Sequence, residues 1–203
     1  MEQIAFQQCV SDHAEIINQI KEAAHQLHDS VNQRYAVFHP YGYHLDMVAN
    51  SVLRYGAAVC ARTEDVTPLL FAAYYHDSIE DARLTYNDVV KEARHYMDEA
   101  EAVLAAEIVY ALTNDKGRTR AERAGEKYYQ GIRETPYAPF VKLADRMANL
   151  TYSCQHSDAL NARMKGLYIE EMPHFLEMIA THSDDPRFSL PKEMLDDICA
   201  LID

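Results

Sequence analysis

Apolar residues recur at helical spacing along most of this chain. From His13 to His28 the stripe is Ala14, Ile16, Ile17, Ile20, Ala24 and Leu27, one face of a helix. Asp46 to Cys60 repeats the pattern with Met47, Val48, Val52 and Leu53. Thr67-Pro68 is a helix start, a capping hydroxyl followed by proline in the first turn, and the helix runs through Leu69, Leu70 and Phe71 towards His76. Thr85 to Met97 is expected to form a helix, with Thr85 as cap and Asp88 three residues on. Glu99 to Leu112 is apolar at every third or fourth position, and Arg118 to Gly131 is amphipathic and very polar. Pro136 and Pro139 open a helix from Phe140 to about Cys154, and Leu160 to Ile179 and Lys192 to Ile202 complete the set. Asp29 to Tyr43, Thr113 to Thr119 and His182 to Pro191 are the least regular stretches.

No strand-period alternation is sustained, and six glycines and seven prolines are few for an all-β chain. The expectation is one compact all-α domain over residues 1–203, with about eight or nine helices. The four cysteines, Cys9, Cys60, Cys154 and Cys199, are scattered without a CxxC pair, which points to reduced thiols and a cytoplasmic compartment. No stretch approaches the length of a membrane span, so no membrane partner is expected. A net charge of -13 argues against a duplex nucleic-acid partner, whose phosphates demand basic surface. It leaves room for a small phosphorylated ligand on a local basic patch. Oligomeric state is not legible.

The candidate chemistry begins at His76-Asp77, directly after the apolar run Pro68 to Tyr75 and followed by Glu80 and Asp81. An imidazole and a carboxylate together suit a divalent ion such as Mn, Fe or Zn. Adjacent helical residues point about 100° apart, so both reach one ion only at a helix end or kink. Asp145 and Asn149 are four apart and share a face of the mainly apolar segment from Val141 to Leu150. Polar groups buried there need partners: a metal, or a capping or inter-helix hydrogen bond, for Asp145, and a capping or inter-helix hydrogen bond for Asn149. His44 lies at the start of another apolar helix. A cationic run, Lys116, Arg118, Arg120, Arg123 and Lys127, is either a solvated helix face or a phosphate-facing segment. Lys142 and Arg146 border Asp145 and are further phosphate candidates. Tyrosines 41, 43, 74, 75, 128 and 129 serve either the core or a base stack.

The order His44, His76-Asp77, Asp145 resembles the metal signature of HD-domain phosphohydrolases, which are all-helical enzymes. The resemblance is closer to the hydrolase domain of RelA/SpoT homologues and to stand-alone small alarmone hydrolases. Their PYxxH is similar to Pro40-Tyr-Gly-Tyr-His44, their HDxxED to His76-Asp-Ser-Ile-Glu-Asp81, and their KLADRxxN to Lys142 through Asn149. The similarity covers roughly residues 30 to 155. It implies a divalent metal, usually Mn²⁺, held by His44, His76, Asp77 and Asp145. It implies Glu80 and Asp81 as the catalytic pair and Arg34 against a guanine base, with Asn149 beside the ribose or a ligand aspartate; Lys142, Arg146, Lys116 and Arg118 are expected around the substrate by their charge. The implied reaction is removal of the 3′-pyrophosphate of ppGpp or pppGpp, giving GDP or GTP and pyrophosphate. At 203 residues there is no room for the family's synthetase domain. The chain departs from the family at Leu45, where proline is usual, at Ala82, where threonine is frequent, and at Tyr35, where a second basic residue is common. Two other functions stay open: an HD phosphohydrolase acting on another nucleotide, such as an NADPH 2′-phosphatase, and a non-catalytic helical metal- or nucleotide-binding module.

Overall fold

The computed structural model describes residues 1–114 and 117–202, without the side chains of 120 and 121. Helices α1 to α4 span Gln3–Asp12, Ala14–Ser30, Gly42–Tyr55 and Val66–Tyr75; α5 to α8 span Ser78–Asp81, Tyr86–Ala93, Glu99–Leu112 and Arg120–Arg123; α9 to α12 span Glu126–Glu134, Ala138–Gln155, Ala159–Ile179 and Lys192–Ile202. An antiparallel two-strand ribbon, β1 Arg34–Tyr35 with β2 His39–Pro40, joins α2 to α3. The all-α expectation therefore holds. Its count of eight or nine becomes ten longer helices and two single turns, α5 and α8, among the described residues.

The axis of the molecule is α4. All ten of its residues are buried, as expected of a helix that is apolar on every side. Helices α2, α3 and α7 enclose it, and α10 packs on α3, α7 and α11. Two capping boxes set the ends of neighbouring helices: Thr85 with Asp88 starts α6, and Asp98 with Glu101 starts α7. The first of these is the cap expected from sequence.

Three differences from the sequence pattern have local causes. Helix α1 carries little apolar signal, because only Phe6 and Cys9 are buried along it. Phe6 reaches Gly56, where a Cβ would lie 2.8 Å from its ring. Arg118 to Gly131 is not one helix. Gly125 takes an extended conformation at the N-cap of α9, so the segment splits into α8 and α9. Helix α3 begins at Gly42 rather than Asp46, which brings His44 into its first turn. Gly42 permits this close packing, since a Cβ there would lie 2.7 Å from Cγ of His25.

Among the described residues no helix is long and apolar enough to cross a membrane.

Candidate metal centre and cleft

Each element delivers its polar residue by a nameable local feature. Helix α4 stops at Tyr75, and Asp77 leaves helical geometry at φ -101, ψ 4 before α5 starts. The chain bends between the two residues of the HD step, so the His76 and Asp77 side chains face one point. His44 arrives from α3 and Asp145 from α10. His44 Nε2 lies 3.2 Å from His76 Nε2 and 3.3 Å from Asp145 Oδ1. Donor atoms of His44, His76 and Asp145 all fall within 4.8 Å of one another. Asp77 adjoins this group, with Oδ2 2.8 Å from His76 Nε2 and 3.8 Å from His44 Nε2.

The donor set fits a divalent ion. Two ligand atoms each about 2.1 Å from an ion, at tetrahedral or octahedral angles, stand roughly 3.0–3.4 Å apart, which is the spacing around His44 Nε2. The Nδ1 of His76 faces the Ala73 carbonyl oxygen at 2.9 Å, so it carries the proton and leaves Nε2 as the lone-pair donor. Both imidazoles are buried, at 2 % exposure each. Two neutral imidazoles and two carboxylates balance a 2+ charge. That pairing offsets the cost of burying two carboxylates side by side.

Without an ion, a proton on His76 takes over the charge balance, and an ion binding there must displace it. Burial opposes a charged His76, but the neighbouring Asp77 carboxylate wins and holds it up to about 9. Burial likewise works against an ionised Asp145, yet Lys142, His44 and His76 hold it well below the usual carboxylate range. Lys142 Nζ donates to Asp145 Oδ2 at 2.9 Å. Asn149 Nδ2 donates to Asp145 Oδ1 at 2.6 Å and to the Asp145 carbonyl at 3.0 Å. The Tyr41 hydroxyl donates to Asp77 Oδ2. Asp81, one turn past Asp77, is raised to about 6 by burial and then by the Asp77 charge. Glu80 is exposed and accepts from the backbone N and from Nδ2 of Asn114, at 2.6 and 3.1 Å.

The centre opens into a cleft of about 710 Å³, within the range of small-molecule sites. His44, Asp77 and Asp145 line one end, with Lys142, Arg146 and Asn149 beside them on α10. The facing wall is α11, through Tyr168, Glu171, His174 and Phe175. Arg146 is 8 % exposed, bonded to Glu171 at 2.9 Å, and its guanidinium lies 5.0 Å from the Tyr168 ring centre and 4.4 Å from that of Phe175. Arg123 of α8 and buried Tyr128 of α9 also contribute.

Of the residues singled out in sequence, the structure brings together His44, His76, Asp77, Asp145, Lys142, Arg146 and Asn149. Glu80 and Asp81 are adjacent to the centre but do not line the cleft. Arg34 is exposed on β1 and Arg118 is exposed before α8; neither lines the cleft. Lys116 lies outside the described residues, as does the side chain of Arg120. The α11 wall has no counterpart among the residues singled out in sequence. Tyr168, Glu171 and Phe175 recur at i, i+3 and i+7, a stripe legible as a helix face but not as a site.

No family model matches this sequence, and no curated protein matches it. Among solved structures the chain is similar to a metazoan ortholog of SpoT, described as hydrolysing ppGpp and playing a role in starvation responses. The two share 19% identity and a TM-score of 0.63, over 91% of this chain and 94% of that chain. The chain therefore shares the fold of that protein, and three of the four histidine and aspartate residues expected as ligands meet within it.

Proposed function

We propose that this protein is a metal-dependent phosphohydrolase that removes the 3′-pyrophosphate of ppGpp or pppGpp, with Mn²⁺ as its ion. The observation that carries the reading is the His44, His76, Asp77 and Asp145 group at one end of a cleft that also presents Lys142, Arg146 and Arg123. The similar solved structure is described as a ppGpp hydrolase, which supports the same choice of substrate.

His44, His76, Asp77 and Asp145 would hold the ion. When bound, it supplies charge neutralisation at the phosphate and a water of lowered pKa. The chain's own residues do the rest. Lys142 and Asn149 fix the Asp145 carboxylate, and Tyr41 fixes that of Asp77. Arg123 and Arg146 offer guanidinium groups to phosphate oxygens, Arg146 at the expense of its bond to Glu171. Water adds to the 3′ phosphorus, the bond to the 3′ oxygen breaks, and that oxygen takes up a proton. Asp81 adjoins the centre without lining the cleft, so it would exchange that proton through an intervening water; raised to about 6, it suits the exchange near neutral pH. Glu80 holds Asn114 at the cleft edge, a positioning role.

Release of pyrophosphate from ppGpp, with Mn²⁺ and with chelator, tests this reading. The expected products are GDP and pyrophosphate, with loss of turnover on chelation. Turnover of another nucleotide, NADPH included, with ppGpp untouched would replace the substrate and keep the site. A protein that folds and binds metal but hydrolyses no nucleotide would make it a binding module.

A further inference from the structure

The two histidines of the metal centre are held in different ways. His76 is oriented from behind by the Ala73 carbonyl at its Nδ1. The Nδ1 of His44 is buried and has no hydrogen-bond partner among the described residues. Metal-binding imidazoles generally use that second nitrogen to fix their rotation. For His44 the constraint comes instead from a ring. Tyr35 stacks on it at 4.9 Å between centroids and 17° between planes.

The same tyrosine reaches a second ligand. Its hydroxyl donates to Asn149 Oδ1 at 3.1 Å, and Asn149 Nδ2 donates to Asp145 Oδ1 at 2.6 Å. Accepting at oxygen and donating at nitrogen, the Asn149 amide has one orientation that satisfies both neighbours. Tyr35 is itself braced. Tyr152 meets it edge-on at 4.9 Å, and Tyr43 stacks on it at 6.2 Å. It does not line the cleft.

We propose that Tyr35 is a positioning residue of the metal centre: its ring sets the rotation of His44, and its hydroxyl, through Asn149, sets the carboxylate of Asp145. The inference rests on the metal-centre reading above. It separates two effects that substitutions resolve. Tyr35→Phe keeps the ring and loses the hydroxyl; Tyr35→Leu loses both.

The test is Mn²⁺ affinity by calorimetry, with the paramagnetic resonance spectrum of the bound ion. Wild type is expected to bind one ion. Tyr35→Phe should weaken binding about tenfold, and Tyr35→Leu more, with a changed spectrum in each. Because the hydroxyl acts through Asn149, the double variant Tyr35→Phe/Asn149→Ala should bind no more weakly than Asn149→Ala alone. A purely structural role would lower the metal-free unfolding midpoint and leave affinity and spectrum as they are. Wild-type affinity and spectrum in both single variants overturn the inference and leave the metal centre standing. A wild type that binds no divalent ion overturns the metal centre, and this inference with it.

Discussion

At the scale of single residues, the proposed mechanism separates groups that would hold an ion from a group that would move a proton. Asp145→Ala should abolish metal binding and turnover together, because it removes a donor and leaves Lys142 without its partner. Asp81→Asn, which loses the proton-transfer group, should keep the metal and lower turnover by about a hundredfold or more, whereas Glu80→Gln, which loses a positioning contact, should keep the metal and cost less. Metal analysis beside kinetics on the purified variants checks this. Asp81 carries a second expectation. Its folded pKa of about 6 exceeds the ordinary aspartate value of 3.8, so the native state favours the neutral acid. That contribution to stability is complete below about 4 and is lost as pH rises to about 6. In chelator, Asp81→Asn should therefore match wild type at pH 4 and melt higher at pH 8. Equal midpoints at pH 8 would show that the carboxyl is not so constrained. The Asp145–Asn149 pair is legible in sequence because two polar residues on a buried face demand partners. Tyr35 is visible there only as a departure, since nothing in a linear sequence shows a ring facing His44.

At the scale of elements, the pattern of apolar positions locates the long helices well and their ends less well. The start of α3 shows why. Asp46 is the first strongly polar residue of that stretch, yet the helix begins four residues earlier, where Gly42 fits against His25. Gly42→Ala should cost about 1–3 kcal/mol in urea unfolding, because the added methyl meets an imidazole already bonded to Asp46. It should also weaken metal binding, since His44 lies two residues on. At Gly131, inside α9, an added Cβ would meet nothing within 4 Å, so Gly131→Ala should instead stabilise by up to about 1 kcal/mol. The ribbon escapes the sequence pattern for a different reason. Its tip puts Ala36 and Val37 at φ 46 and 73, a conformation that favours glycine, so no turn signature marks it. Val37 is exposed, and Val37→Gly should raise the urea midpoint, with relief of about 1–2 kcal/mol against up to ~1 kcal/mol of added freedom in the unfolded chain.

At the scale of the whole molecule, the site draws on three helices far apart in sequence. The motifs around residues 44, 76 and 145 show that separated segments agree, and the fold explains how. A helix buried on every side ends at His76, and α3 and α10 pack beside it. The α11 wall could not be foreseen, because an arginine enclosed by Tyr168, Phe175 and Glu171 leaves no short motif. An ion gripped at the bend after α4, on α3 and on α10 would act as a cross-link between segments that otherwise open separately. Amide hydrogen exchange should then slow together in all three on adding Mn²⁺, while α1 and α12, which supply no ligand, keep their rates.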